Sequence, residues 1–290
     1  MSGKYLFIVN PVSGAKSDRQ SMLSTVKERL SDVDITVAET TGENDISMVR
    51  EYLEEKHWDA ILAGGGDGTI RMIAKATGKT DIPVGIIPLG SANGLAKCLE
   101  VDTTFLAIEA IRKGKTRHLD ILNINNEICL HLSDFGFNAG LVKKFEDEDE
   151  RGMITYFKSS LKQFKEMKPY RFEITINGKT EETTARLLVI ANADKYGTGA
   201  IINPAGKIDD GILEVIAINP DGFDEMASIS MDLFQGTLHE SEYVKIWTGR
   251  EASISNPDGA DFQIDGEVME TPEKAEVSCQ ANQIRFFSNV

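Results

Sequence analysis

The first 115 or so residues alternate short apolar runs with segments of helical periodicity, and that rhythm leaves few folds open. Tyr5 to Val9 is an apolar run; Met22, Leu23, Val26 and Leu30 then share one helical face; Ile35 to Ala38 is strand-like again. The pattern continues through a helix carrying Ile46, Val49 and Leu53, a strand at Ala60 to Ala63, a helix from Thr69 to Ala76, a strand at Val84 to Ile87, and helices near Leu95 and Ile108. Strands joined through helices by short connections pair in parallel, with right-handed crossovers and helices on both faces. The expectation over residues 1–120 is an α/β domain with a doubly wound, mostly parallel sheet. Ligands of such sheets sit beyond the carboxyl ends of the strands.

From about Ile121 the grammar changes to short β-rich runs: Arg171 to Ile176, Thr183 to Ile190, Leu213 to Ile218, Phe262 to Ile264, Ala275 to Cys279 and Ile284 to Phe287. Asn177-Gly178 between two apolar stretches is a two-residue hairpin signal. Residues 121–290 are therefore expected to form a β-rich sandwich or barrel domain, whose last strand returns to the first domain. Two helical insertions are expected, around Thr155 to Met167 and Phe223 to Phe234. The acidic run Glu146 to Glu150 reads as a solvated loop.

Charge narrows the partners. With 31 Lys and Arg against 46 Asp and Glu, the net charge is −15, which repels phosphate backbones and excludes nucleic acid as an expected partner. The three cysteines, Cys98, Cys129 and Cys279, form no CxxC pair and no metal-ligand spacing. No signal-peptide core and no membrane-length apolar stretch is visible, so a soluble cytoplasmic protein is expected. Against that acidic background, Tyr156 to Arg171 carries Lys158, Lys162, Lys165, Lys168 and Arg171 against Glu166, with Phe157, Leu161 and Phe164 at helical spacing. Such a segment either packs on the β domain or lies transiently on a membrane surface.

Gly64-Gly65-Gly66-Asp67-Gly68-Thr69 directly follows the third strand and opens a helix. Glycines there remove Cβ atoms, so backbone N–H groups and the helix dipole can meet an anion closely. The loop is neither a Walker loop nor the GxGxxG fingerprint. Asp67 inside a phosphate cradle needs a compensating magnesium ion or the proton of an attacking hydroxyl, which argues for phosphoryl transfer over passive binding. Two further loops, Asn10-Pro11-Val12-Ser13-Gly14 and Pro88-Leu89-Gly90-Ser91-Ala92-Asn93-Gly94, also follow strands and precede helices, so all three are expected side by side on one rim. Ser91 or Asn93 either caps its helix or touches a nucleotide. Lys207-Ile208-Asp209-Asp210-Gly211 and Asp265-Gly266-Glu267 each read as a turn on spacing alone.

Taken in order, NPVSG, GGGDGT, PLGSANGLAKCL, KIDDGILEV and IDGE resemble the diacylglycerol kinase catalytic-domain family, which includes bacterial lipid kinases and sphingosine kinases. The resemblance runs from Asn10 to Glu267. It implies an amino-terminal nucleotide-binding domain, a carboxyl-terminal β-rich domain and an active site in the interdomain cleft. It also implies an ATP-dependent lipid kinase, with ATP and Mg²⁺ bound and a lipid alcohol such as diacylglycerol or a sphingoid base as acceptor. By motif, Asn10, Pro11, Ser13, Gly14, Thr40, Gly64, Gly65, Gly66, Asp67, Gly68, Thr69, Ser91 and Asn93 would line the ATP site. Thr40 is placed through the segment Thr40 to Asp45. Glu267 matches the general base, and Asp67 the acidic residue near the phosphates and magnesium. Asp210, with the carbonyls of Lys207 and Ile212, matches a structural magnesium site, and Asp120 a further acidic position. Gly94 departs from the Asp of many bacterial members. The alternatives are a soluble-acceptor kinase of the NAD kinase type and a non-catalytic nucleotide- or lipid-binding module.

Overall fold

A computed structural model describes residues 3–78, 80–90, 92–136, 168–196 and 200–290. The chain divides into two compact units, Met1–Asp120 with Asn282–Val290, and Ile121–Ala281.

In the first unit, strands β1 (Lys4–Val9), β2 (Asp34–Glu39), β3 (Ala60–Gly65) and β4 (Val84–Pro88) pair in parallel in the order β2-β1-β3-β4. Helices α1 (Lys16–Arg29), α2 (Asp45–Glu55), α3 (Asp67–Thr77), the short α4 (Gly94–Cys98) and α5 (Thr104–Lys113) connect and follow them. Strands buried on both faces read as continuous apolar runs, as Leu6 to Val9 and Ala60 to Ala63 do, all fully buried. Local chemistry sets the helix ends: Thr103 caps α5 by accepting from the Leu106 N–H at 3.2 Å, and Gly114 (φ 67°) closes it. The chain's last segment completes this unit. Phe286 pairs in parallel with Val84, the Ser288 N–H donates to Lys115, and Asn289 bonds Leu99, Glu100 and Leu106.

The second unit is an antiparallel β sandwich. One sheet holds β8 (Tyr170–Ile176), β9 (Lys179–Ala185), β13 (Glu251–Ser255) and the first part of β16 (Lys274–Phe287). The Asn177-Gly178 hairpin has φ of 52° and 73°, the mirror-image turn expected of that dipeptide. The other sheet runs β12 (Val244–Gly249), β11 (Leu213–Ile218), β10 (Leu187–Ala191), β7 (Leu132–Phe135), β14 (Phe262–Ile264), β15 (Glu267–Met269). Between the sheets lies a core that includes Phe135, Phe172, Ile174, Leu188, Val215 and Phe262. The far face of the second sheet packs Val189, Ile216 and Ile218 with Ile229 of α6 (Phe223–Gln235) and Leu238. That sheet is thus covered on both sides, which is why β10, and β11 apart from Glu214, are apolar without alternation.

The structure corrects several boundaries. The apolar stretch Thr183 to Ile190 is two strands, because Arg186 leaves one sheet for the other and is held by the Pro220 carbonyl at 2.7 Å and Asp221 at 2.8 Å. The runs Ala275 to Cys279 and Ile284 to Phe287 belong to the one strand β16. Strands β5 (Thr116–Ile124), β6 (Glu127–Cys129), β7, β12 and β13 carry no run singled out from sequence. Arg171 belongs to no basic helix: it lies in β8 and clamps Asp258 through its backbone N–H and its guanidinium. That pair holds the Asp258 carboxyl down at about 2. The remainder of the basic segment up to Met167, and the run Glu146 to Glu150, lie outside the described residues. Among the described residues no helix is long and apolar enough to cross a membrane.

Candidate functional site

The loops after β1, β3 and β4 meet at one rim of the first unit. The Asn10 N–H donates to Gly64 at 2.8 Å, the Leu89 N–H donates to Gly65 at 3.0 Å, and the Asn10 side-chain amide donates to the Thr69 hydroxyl at 3.4 Å. Within the first loop, Asn10 also accepts from Val12, and the Ser13 N–H returns to the Asn10 carbonyl. Pro11 is half-buried there. Gly14, at φ 67°, lies so close to Leu89 that a Cβ would come within 3.2 Å of its carbonyl oxygen. Thr40 is buried at the end of β2, its N–H donating to Val9 at 2.9 Å.

The glycines of the third loop have a packing reason beyond approach to an anion. A Cβ on Gly64 would strike the Phe7 ring at 2.8 Å, and one on Gly65 the Thr69 hydroxyl at 2.3 Å. Gly66 and Gly90 pass backbone against backbone, and a Cβ on Gly90 would lie 2.7 Å from the Gly66 Cα. Gly66 is the N-cap of α3, an 11-residue helix whose amino terminus, with Asp67 and Gly68 in its first turn, opens at this rim. The first amides of such a helix and its dipole favour an anion.

Asp67 already has two hydrogen-bond donors within the chain. Its carboxylate accepts the N–H groups of Gly94 at 2.9 Å and Leu95 at 3.2 Å, capping α4 from another element. This corrects two expectations. The charge of Asp67 is compensated in part by helix amides, and Asn93 (φ 50°) does not cap α4 with its side chain. Asn93 instead closes its own loop, accepting from the Gly90 N–H at 2.9 Å and donating to the Gly90 carbonyl at 2.6 Å. Ser91 lies outside the described residues. A cavity of about 610 Å³ reaches this rim at Gly14, Leu89 and Gly90 and continues along Met22, Thr25 and Phe105. Asp120 is fully buried and accepts the Asn282 N–H at 2.7 Å, holding the returning strand.

In the second unit, the turn of Asp210 folds on itself, with the Ile212 N–H donating to the Asp210 carboxylate at 3.1 Å and Gly211 at φ 74°. Lys207 is exposed at the start of that loop. Glu214 accepts from the Asn203 side chain at 2.7 Å. Burial pushes its carboxyl above the ordinary value, against the Asn203 hydrogen bond and together with the charge of Asp210.

Asp265-Gly266 is a two-residue hairpin turn with φ of 50° and 85°, and Glu267 leaves it exposed to solvent. Sequence reasoning missed what surrounds this turn. Asp265 is buried, and its carboxylate accepts from the N–H groups of Leu130 and His131 at 2.9 Å each and from His131 Nδ1 at 3.0 Å. Burial pushes Asp265 up, but the hydrogen bond and charge of His131 with these amides outweigh it and hold the carboxyl below its ordinary value. Gln263, opposite Asp134 in the β14–β7 ladder, accepts the Gly266 N–H at 2.7 Å and donates to Asp134, which also accepts from the Tyr196 hydroxyl at 3.1 Å. The only local sign of this network is a set of polar residues, His131, Ser133 and Asp134, inside an apolar stretch.

Residues 4–124 match the diacylglycerol kinase catalytic domain, and residues 134–286 match the YegS C-terminal NAD kinase beta sandwich-like domain. The chain belongs to the family built from these two domains, the second of which alone matches more than half of it. It is 27% identical to a diacylglycerol kinase of Mycobacterium tuberculosis over 95% of this chain and 92% of that protein. It is 26% identical to a Pseudomonas aeruginosa protein named "Probable lipid kinase YegS-like", over 82% of this chain and 79% of that protein. A diacylglycerol kinase crystal structure from Bacillus anthracis shares its fold, with a TM-score of 0.77 at 20% identity over 99% of this chain and 97% of that one. The two matched domains together reach both units.

Proposed function

We propose that this protein is an ATP-dependent lipid kinase that moves the γ-phosphoryl group of ATP to a hydroxyl of a lipid such as diacylglycerol or a sphingoid base. The observation that carries the reading is the rim where three motif loops meet around the amino terminus of α3, in a chain of this family. Phosphoryl transfer asks for alignment and charge neutralisation more than for covalent help. The α3 dipole and amides, with Asn10, Ser13, Gly14, Thr40 and Thr69 beside them, supply a polar, positively ended bed for the nucleotide's phosphates. Thr69, fixed by Asn10, and Asp67, fixed by α4, are held in place before any ligand arrives.

The donor chemistry fits a hard divalent cation. A carboxylate has about four acceptor directions, so Asp67 keeps some after its two amide bonds. Asp210, exposed in its turn, likewise keeps acceptor directions beyond its bond from the Ile212 N–H. One magnesium ion would be held by Asp67 with the phosphates, where it would supply charge neutralisation, and a separate, structural one by Asp210 with the carbonyls of Lys207 and Ile212. Glu267 takes the proton of the acceptor hydroxyl as it attacks.

The test is purified protein with γ-labelled ATP, Mg²⁺ and mixed micelles of diacylglycerol, sphingosine or extracted lipids, with products identified by mass spectrometry. Labelled lipid is expected, and Glu267→Gln should lower turnover by about 10² to 10⁴ while the protein stays folded. Label on no lipid, or near-wild-type turnover by Glu267→Gln, defeats the reading. NAD serves as the comparison acceptor, because an Archaeoglobus fulgidus NAD kinase structure in complex with ATP shares the fold at a TM-score of 0.54 and 14% identity. Label on NAD alone would replace the lipid acceptor with a soluble one.

A further inference from the structure

Two hairpins of the second unit have the same two-residue loop and the same pair of left-handed residues, yet they are held very differently. At Asn177-Gly178 the side chain of Asn177 donates to the Thr248 carbonyl at 2.7 Å, at an exposed tip. At Asp265-Gly266 the carboxylate takes the two amides and the imidazole N–H described above, with the Leu132 N–H at 3.4 Å and the Cys129 thiol at 3.5 Å beside them. The glycine N–H is taken by Gln263, which is in turn fixed by Asp134. His131, Asp134, Gln263 and Asp265 are all nearly or wholly buried.

An Asp-Gly pair forms this turn unaided, so the turn type does not require the network. Burying so many polar groups carries a desolvation cost that hydrogen bonds only offset, and its return is rigidity. The rigid object is the turn from which Glu267 emerges. A general base is effective only when held to within a fraction of an ångström and a few tens of degrees of its proton.

We propose that His131 and Gln263 are positioning residues for Glu267: His131 through the Asp265 carboxylate, Gln263 through the Gly266 N–H. The inference rests on the reading of Glu267 as the base. His131 gives direction as well as charge, since its backbone N–H and its Nδ1–H converge on the same carboxylate oxygen.

The experiment is a double-mutant cycle between His131→Leu and Glu267→Gln, read as kcat, joined to amide exchange by NMR. His131→Leu is expected to lower kcat by roughly 10- to 100-fold with KM for ATP nearly unchanged. His131→Asn, which keeps a side-chain N–H, is expected to restore most of it. In the Glu267→Gln background His131→Leu should cost nothing further, because its effect passes through the residue already removed. Exchange at Gly266 and Glu267 should quicken in His131→Leu while Asn177-Gly178 stays as it was. Equal losses in both backgrounds, no rescue by His131→Asn, or unaltered exchange at the turn would overturn the proposal. If His131→Leu does not fold, Gln263→Leu enters the same cycle from the other side. A wild type without lipid-kinase turnover defeats the proposed function alone, and the exchange measurement still decides whether His131 holds the turn.

Discussion

Replacing Asp67 by alanine removes both hydrogen bonds that this carboxylate accepts from the Gly94 and Leu95 amides. Loss of a capping side chain costs about 1 kcal/mol and up to about 2. The attraction of the carboxylate to the α4 amino terminus adds about 0.3 to 1 kcal/mol, and the site is only half-buried. About 2 kcal/mol is therefore expected for Asp67→Ala, a fall of roughly 4 to 8 °C in the first unit's melting midpoint. Asp67→Asn keeps one acceptor oxygen and loses the charge, so about half that fall is expected. Turnover should separate the two roles. If Asp67 also serves the phosphates, Asp67→Asn loses at least about 100-fold in kcat even though its fold is the less disturbed of the two. Calorimetry and the lipid-phosphorylation assay on the same preparations test this. An unchanged melting midpoint in Asp67→Ala would refute the capping role, and full turnover in Asp67→Asn would refute the chemical one.

Gly90→Ala forces a Cβ against the Gly66 backbone and the Asn93 side chain, at 2.7 and 2.8 Å, so the two rim loops must part. A destabilisation of about 1 to 3 kcal/mol and a raised KM for ATP are expected, and a variant with unaltered KM would show that the close approach is immaterial. Asp258, held at about 2, and Asp265, held below its ordinary value, both fold with carboxyls depressed from 3.8. Their stabilisation is present above 3.8 and is lost as pH falls from there through the lower folded values, so the second unit should melt earlier in that window. Asp265→Asn should flatten that acid limb, and a limb as steep as wild type would contradict the assignment. Glu214 has the opposite sign. Its raised carboxyl weakens the fold as pH rises past the ordinary value, so Glu214→Gln, which keeps an acceptor for Asn203, should raise the melting midpoint at pH 8 but not at pH 4, about half a unit below the ordinary value of 4.5. A lower midpoint at pH 8 would refute it.

The parallel sheet was legible because its information is local. Each of β1 to β4 is a short apolar run, each is followed by a helical period, and each rim motif is contiguous in the chain. The purpose of Gly64, Gly65 and Gly66 was only half legible. Spacing shows a bare backbone, but the Phe7 ring, the Thr69 hydroxyl and the Gly90 backbone that require it belong to neighbouring elements. The strand pair split by Arg186 reads as one run because its switch of sheets is fixed by Pro220 and Asp221, more than thirty positions onward. The bonds to Asp265 span 133 to 136 positions, so nothing near Asp265-Gly266 in sequence distinguishes that turn from an ordinary hairpin. Nor does spacing reveal that Asp67 caps α4, 27 positions away, since the contact depends on how β3 and β4 lie side by side.

Because Asn282–Val290 is built into the same unit as the first 120 residues, synthesis order and folding order part company. On the ribosome, residues 1–120 must wait, with Val84 and the carbonyls of Leu99 and Lys115 lacking their partners, until residues 121–281 have emerged. An unfinished nascent chain would therefore offer an incomplete early half to chaperones and proteases. Clipping a few residues from Phe286 onward should harm the first unit before the second, although they follow the sandwich in the chain.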